Sequence, residues 1–302
     1  MQLELPELGY ELDGDTPNGF VFGMETPYVI TNIDYGTADF ANNDIPAPRS
    51  DGLLFGRDFV GGPSFLLDVA IIPDYPVPGN GIEATDLWGK FKSRWRNDKA
   101  RLTPGYASLL RLSRNGRVRR VYGRTRQCTA QPEKDVNGWW IAGAQFQAMD
   151  DYFYSDEERT NTVSIVPPGA GGYLVPPDDP WTSIGVSYEP GVVHLGGTDP
   201  AWMCFMFRGP ITRPVVEVVG HWAIGLNVTL REGEWIGIDP RPWSRGVRTS
   251  SGFDLGGALL PGSPVLSAVK LDPGSYEIVL RGQDETGTAN MTVAWRETFS
   301  SI

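Results

Sequence analysis

The stretch Trp222-Ala-Ile-Gly-Leu-Asn-Val-Thr-Leu-Arg231 alternates large apolar residues with small or polar ones without a break. Alternation with a period of two is typical of a β-strand that has one face in a core and the other in solvent, as in antiparallel sheets. Further runs of this kind, separated by Gly and Pro turn signals, occur at 202–207, 215–219, 235–238, 276–280 and 291–295. Several short strands at such spacing predict a β-sandwich or jelly roll.

The first half combines strand signals with one amphipathic helix. Its apolar face is formed at helical spacing by Ala84, Leu87, Trp88, Phe91 and Trp95. We expect Thr85 or Asp86 to cap its start and Pro104-Gly105 to end the segment. Strands are predicted at 64–72, 106–112, 117–122 and 139–148, with a hairpin turn at Asn115-Gly116. The first half is therefore expected to be a small β-fold with one helix.

The length of 302 residues fits two domains better than one, because single domains usually hold about 100–200 residues. Residues 167–181 contain five prolines and three glycines. Such a segment cannot form a helix or a central strand, so we expect the connection between the two domains near it.

The net charge of −11 conceals a partition along the chain. Residues 1–85 carry 14 acidic and 2 basic side chains, whereas residues 86–126 carry 13 basic and 2 acidic ones. The net charges of these adjacent blocks are therefore −12 and +11. Blocks of opposite sign and similar size favour complementary faces, within one chain or between copies.

Nothing in the sequence predicts an enzyme, a cofactor or a metal site. His194 and His221 stand in different segments, and no nucleophile elbow, zinc-protease motif or phosphate-binding loop is present. Gly79-Asn-Gly81-Ile-Glu-Ala84 has the spacing of a dinucleotide fingerprint. However, the prolines around it interrupt the required turn, and no acidic ribose partner follows about 20 residues later.

The expected location follows from the N-terminus, the apolar runs and the cysteines. The acidic N-terminus lacks the apolar core of a signal peptide, and no stretch approaches 18 uninterrupted apolar residues. Cys128 and Cys204 are too few for a disulfide framework, and we expect them to be buried as small apolar residues. We therefore expect a soluble protein of a reducing cytoplasm.

The basic segment is the candidate interaction site. We predict an interface formed by Lys90, Lys92, Arg94, Arg96, Arg117, Arg119, Arg124 and Arg126. A nucleic-acid site is the alternative, because Arg and Lys interleaved with aromatic residues can bind phosphates. A protein interface is favoured because the aromatic residues lie on the apolar face of the helix and the nearest opposite charge is the acidic first third.

The order of these features resembles the distal tail protein, or minor tail protein, of long-tailed bacteriophages. In the first half the resemblance rests on Asp51-Gly-Leu-Leu-Phe-Gly-Arg-Asp-Phe59, the Trp-rich basic helix, Gly116-Arg-Val-Arg-Arg-Val-Tyr-Gly-Arg-Thr-Arg126 and Phe146-Gln-Ala-Met-Asp-Asp-Tyr-Phe-Tyr154. In the second half it rests on Phe207-Arg-Gly-Pro-Ile-Thr-Arg-Pro214, Leu230-Arg-Glu-Gly-Glu-Trp-Ile-Gly-Ile-Asp239, Leu271-Asp-Pro-Gly-Ser-Tyr276 and Val293-Ala-Trp-Arg-Glu297. Each motif alone is common turn chemistry, and the ordered set carries the resemblance.

The resemblance implies a mainly β protein with a belt domain at 1–160, which contains the one helix, and a galectin-like β-sandwich at 161–302. In this family the belt domains form a six-membered ring at the tail tip. The implied partners are other copies, the tail tube protein, the tail-associated hub and tape measure proteins, and receptor-binding or side-fibre proteins. DNA would be cargo in the channel, with no cofactor and no membrane contact.

The resemblance also bears on location and on sugar binding. It places the protein in the virion after assembly in the host cytoplasm. Of the 26 basic residues 21 are Arg, which indicates a phage with a GC-rich genome. The sugar-binding His-x-Asn-x-Arg pattern of galectins is absent around His194 and His221, so the resemblance concerns shape alone.

Two other classes of function remain open. Ten tryptophans and a β-sandwich would suit a carbohydrate-binding module that acts in host adhesion, which would need exposed aromatic side chains in a groove. A DNA-binding protein would use the basic segment on phosphates and would show salt-dependent retention on DNA.

Overall fold

A computed structural model describes residues 4–17, 19–73, 75, 83–136, 138–165, 191–284 and 286–302, with the backbone alone for 131–136. The chain is mainly β, which confirms the predicted fold class. It divides into a first unit, Met1–Asp156 with Phe299–Ile302, and a second unit, Glu157–Thr298. The predicted division at residue 160 lies four residues beyond this one, and the predicted connection at 167–181 lies outside the described residues.

The first unit is built on one large antiparallel sheet. The strands of this unit are β1 (Gly9–Leu12), β2 (Phe20–Gly23), β3 (Tyr28–Asp34), β4 (Phe40–Ala41), β5 (Ile45–Pro46), β6 (Leu53–Leu54), β7 (Phe59–Val60), β8 (Ser64–Ile71), β9 (Ser108–Arg114), β10 (Arg117–Val136), β11 (Trp139–Ala148) and β12 (Phe153–Ser155). Strands β4 to β7 form two separate ladders outside the large sheet. The sheet order is β2-β1-β9-β10-β11-β8-β3, with β12 paired to β10. The turn between β9 and β10 is at Asn115-Gly116, as predicted, and both residues have positive φ.

Helix α1 (Ala84–Arg96) confirms the predicted amphipathic helix and packs on β8, β10 and β11. Phe91 and Trp95 are fully buried and stack on each other with ring centroids 5.5 Å apart. Phe22 meets the Trp95 ring edge to face at 5.9 Å. The helix begins after Glu83, which makes no side-chain cap, so the predicted caps Thr85 and Asp86 lie inside its first turn.

A second, short helix follows α1 directly and was not predicted. Asn97 adopts a left-handed conformation with φ of 37°, which ends α1 and redirects the chain into α2 (Asp98–Leu102). Its side-chain oxygen accepts a hydrogen bond from the Ala100 amide and so caps α2. Its side-chain amide donates to Asp13 and to Ser108 Oγ, which holds this corner against β1 and β9.

The second unit is a β-sandwich, as predicted. Its strands are β13 (Arg159–Ser164), β14 (Gly191–Leu195), β15 (Met203–Arg208), β16 (Ile211–Val218), β17 (Trp222–Gly225), β18 (Thr229–Leu230), β19 (Trp235–Asp239), β20 (Gly246–Thr249), β21 (Gly274–Gln283) and β22 (Asn290–Trp295). One sheet has the order β13-β22-β15-β19-β20 and the other β14-β21-β16-β17, with β18 on β16. Alternate residues of both sheets form the shared core, such as Phe205 and Val293 of the first sheet and Val216 and Ile278 of the second. The last strand, β23 (Thr298–Phe299), leads back to the first unit.

The run 222–231 is not the single continuous strand that its alternation predicts. The ladder on β16 breaks after Gly225, and the amide of Asn227 donates instead to Ala258 O at 2.7 Å. Gly225 is buried, and a methyl group added there would lie 2.6 Å from Leu260 Cδ1. The segment around Leu260 therefore occupies the space that a side chain at position 225 would need. The run stays beside β16, because Leu226 N donates to Pro214 O and Val228 O accepts from Arg213 N.

Candidate interaction site

A cavity of about 350 Å³ lies between α1, α2 and β10. Its described lining consists of Lys92, Trp95, Arg96, Ala100, Arg101, Arg124, Thr125, Arg126 and Cys128. Five of these side chains are cationic and none is anionic. We call this cavity the basic pocket.

The fold explains why these residues meet. The apolar face of α1 buries Trp95, and Ala100 of α2 is buried beside it, so both contribute to the floor. Lys92 and Arg96 lie on the exposed part of α1. In β10 the register against β11 shifts between Thr125 and Cys128, where two residues face one. Arg126 is one of the two residues of this bulge, and it lines the pocket together with Arg124 and Cys128.

Part of the positive charge is already paired. Asp98 of α2 accepts hydrogen bonds from Arg101 and from Arg96, whose Nε lies 2.9 Å from Asp98 Oδ1. The hydrogen bond from Arg101 lowers the pKa of Asp98 most, and Arg96 lowers it further. Arg124 donates to the carbonyl oxygens of Tyr106 at 3.0 Å and Thr103 at 2.9 Å, which fixes its guanidinium at the wall.

Two polar groups in the floor are notable. Trp95 is buried, and its Nε1 has no hydrogen-bond partner among the described residues. Buried indole N–H groups normally find an acceptor, and the Nε1 atoms of Trp202, Trp222 and Trp295 are likewise buried without a partner among the described residues. Cys128 is half-buried, and burial raises the pKa of its thiol to about 12, although the charge of Lys92 lowers it. The thiol is therefore neutral near pH 7 and is not an activated nucleophile.

The structure brings together four of the eight predicted interface residues: Lys92, Arg96, Arg124 and Arg126. Lys90 and Arg94 are exposed on α1 outside the pocket lining, and Arg117 is exposed beside the hairpin turn. Arg119 is half-buried, with its guanidinium 3.7 Å from the ring centroid of Phe299.

Sequence reasoning missed two components of the site. Arg101 belongs to α2, which has no amphipathic pattern of its own, and the orphan N–H of Trp95 is a property of packing. The structure confirms that Trp95 is buried, as its place on the apolar face of the helix predicts. The sequence did not indicate that the same residue would also line the pocket.

A second group of charges is buried within the first unit. Arg111 and Arg120 are almost fully buried and share Asp156, with Arg120 Nε 2.7 Å from Asp156 Oδ1 and an Arg111 nitrogen 2.6 Å from Asp156 Oδ2. Arg111 also pairs with Glu11, and Arg120 pairs with Asp15 at 2.8 Å. We call these five residues the buried charge cluster.

The cluster shows that the two charge blocks meet in part within one chain, which is one of the two arrangements that the sequence left open. Arg120 of the basic segment pairs with Asp15 of the acidic first third. The reason is that Arg120 lies on a buried face of β10. Burial alone would raise the pKa of Asp156, but the hydrogen bonds and charges of Arg111 and Arg120 outweigh it and hold this pKa below its usual value.

Residues 40–60 form an exposed arm. Two short ladders, β4 with β7 and β5 with β6, hold it together, and the amide of Gly56 donates to Asp44 Oδ1 at 3.0 Å. The large apolar side chains of the arm that are more than half exposed are Phe40, Ile45, Leu53, Leu54, Phe55, Phe59 and Val60. Asp51 and Asp58 are also exposed. Apolar side chains concentrated on an exposed surface mark a protein interaction site.

The second unit offers less for binding. Among its described aromatic residues Phe253 alone is exposed, at 70%. His194 Nδ1 lies 2.7 Å from Ser275 Oγ, and the His221 ring packs edge to face on Tyr276. In the part of the chain that the structure describes, no group of three or more His, Cys, Asp or Glu side chains is arranged to hold a metal ion. No described helix is long and apolar enough to cross a membrane.

No protein-family model and no curated protein matches the sequence. Solved structures do match. The Dit protein (gp 19.1) of SPP1, described as a paradigm of the hub adsorption apparatus in phages that infect Gram-positive bacteria, matches with a TM-score of 0.58 and 14% identity over 96% of this chain and 99% of that one. The phage p2 baseplate, in its activated conformations with Ca and with Sr, matches with TM-scores of 0.56 and 0.53 at 11% identity. These two matches each cover 95% of this chain and 97% of the other. The chain therefore has the fold of phage hub and baseplate proteins along almost its whole length.

Proposed function

We propose that this chain is a structural protein of a bacteriophage tail tip. The observation that carries the proposal is the likeness in fold to a phage hub protein over 96% of this chain and 99% of that one, since both units are matched together. The exposed apolar arm supports it, because such a surface needs a partner.

In this proposal the chain forms a six-membered ring between the tail tube and the tail hub. Its partners are its own copies, the tail tube protein, the tail-associated hub and tape measure proteins, and receptor-binding or side-fibre proteins. It assembles in the host cytoplasm, resides in the virion tail tip, and lets DNA pass as cargo. It catalyses no reaction and uses no cofactor.

The proposed ring contact uses the eight predicted basic residues, with Lys92, Arg96, Arg124 and Arg126 of the basic pocket at its centre. A ring requires a heterologous interface, in which one surface of a copy meets a different surface of the next. The basic pocket and the arm are two such different surfaces. Complementary charge across the contact would set the orientation of neighbouring copies.

The test is the mass and symmetry of the purified full-length protein. We expect light scattering to give six times the monomer mass, or twelve times if rings pair, and negative-stain images to show a six-fold ring with a central hole. The ring should also be recovered with co-expressed tail tube protein. A protein that remains monomeric alone and with the tail tube protein would contradict the proposal.

A further inference from the structure

The chemistry of the basic pocket favours an anionic ligand with an apolar part. Its cationic side chains surround a lining that also includes Trp95, Ala100 and Cys128, of which Trp95 and Ala100 are buried. The fitting ligand combines a carboxylate with an adjacent apolar side chain. A nucleic-acid backbone would supply the charge but not the apolar part.

The arm carries groups of this composition. Asp51 precedes Gly-Leu-Leu-Phe55, and Asp58 precedes Phe59 and Val60. These aspartates and the apolar residues beside them are exposed, whereas the carboxylate of Asp44 is already used by the Gly56 amide. In the chain itself none of the arm residues lines the pocket.

We propose that the basic pocket of one copy binds the arm of a second copy, with Asp51 or Asp58 among Lys92, Arg96 and Arg126. This inference rests on the proposed function and specifies its ring contact. The carboxylate neutralises the cations at the pocket mouth, and the neighbouring apolar side chains cover the apolar part of the pocket lining. Because the two surfaces differ, the contact propagates from copy to copy.

The experiment is a charge exchange in the full-length protein. Lys92→Glu with Arg126→Glu reverses the pocket, and Asp51→Arg with Asp58→Arg reverses the arm. Each double variant alone should associate on the order of 100-fold more weakly than the wild type in light scattering, because each places like charges in contact. An equimolar mixture of the two should recover assembly, since a reversed pocket then meets a reversed arm and a native pocket meets a native arm.

The matched control is Arg208→Glu with Arg248→Glu, which makes the same charge change at exposed positions of the second unit. It should assemble like the wild type. A direct readout is ¹⁹F NMR of protein labelled with 5-fluorotryptophan. The Trp95 resonance, identified by its loss in Trp95→Phe, should differ between the assembled wild type and the dissociated pocket variant by more than it differs between the wild type and the control.

The outcomes separate the inference from the proposed function. If the wild type forms rings and either reversed variant still forms them, or if the mixture fails to recover assembly, the arm contact is wrong while the tail-tip function stands. If the pocket variant assembles normally but loses salt-dependent binding to duplex DNA, the pocket is a phosphate site and the inference is overturned. If the wild type forms no ring either alone or with co-expressed tail tube protein, both proposals fail.

Discussion

The buried charge cluster and the basic pocket both take their cationic side chains from the same basic segment of the sequence, but these side chains lie in opposite environments. In the cluster, Arg111 and Arg120 are buried and take carboxylates from their own chain. In the pocket, Lys92 and Arg126 stay exposed, and no described acidic side chain lines the cavity. Part of the segment therefore stabilises the first unit, and part is available to a partner. Net charge along the sequence does not distinguish these two roles, but the burial of each side chain in the fold does.

The largest effect should come from breaking the cluster. Arg120→Met removes the buried guanidinium that shares Asp156 with Arg111 and that also pairs with the exposed Asp15. Loss of one member of a buried ion pair costs about 3–5 kcal/mol, and because Arg111 still pairs with Asp156 we expect the free energy of unfolding of the first unit to fall by about 3 kcal/mol in a urea titration. Arg117→Met, an exposed position on the same strand, should change it by less than about 0.5 kcal/mol. If the two variants lowered the free energy of unfolding equally, the distinction between the buried charge cluster and the exposed basic residues would be wrong.

Acid should destabilise the cluster by a smaller amount. The pKa of Asp156 is lower in the folded protein than the unfolded value of about 3.9. Its ionised form therefore contributes stability above about pH 4, and that contribution is lost as the pH falls through the folded pKa. We expect the urea midpoint to drop more steeply between pH 5 and pH 3 in the wild type than in Asp156→Asn. Asp51→Asn, on the arm, should keep the wild-type slope; an unchanged slope in Asp156→Asn would contradict this.

The smallest effect on stability should come from the pocket. Lys92→Ala with Arg126→Ala removes two exposed charges among other cations, so the free energy of unfolding of the dissociated protein should change by less than about 0.5 kcal/mol. Thermal unfolding at low protein concentration measures this. A loss above about 1 kcal/mol would mean that the pocket stabilises the monomer, and the contrast with the cluster would fail.

Local patterns predicted much of the architecture. The stripe from Ala84 to Trp95 predicted α1, and period-two alternation predicted β8 and β11 almost to their ends. These elements were accessible because each signal lies within one short window of sequence. The break after Gly225 was not accessible, because it depends on Leu260, which is distant in sequence.

The site was predictable in composition but not in arrangement. Eight basic residues were proposed, and four converge on the pocket because α1, α2 and a bulged part of β10 pack together there. Counting alternate residues cannot locate such a bulge. The exposure of Phe55 and Phe59 was equally hidden, since an apolar run predicts burial unless the tertiary contacts are known.

The path of the chain through the first unit has a further consequence. It leaves this unit at Asp156 and returns at Phe299, so the sandwich is an insertion with two covalent attachments rather than an appendage with one. An inserted module can be exchanged as a block as long as its two ends meet the host at the same points. In evolution, such a layout lets the inserted module diversify while the host unit keeps its own sequence.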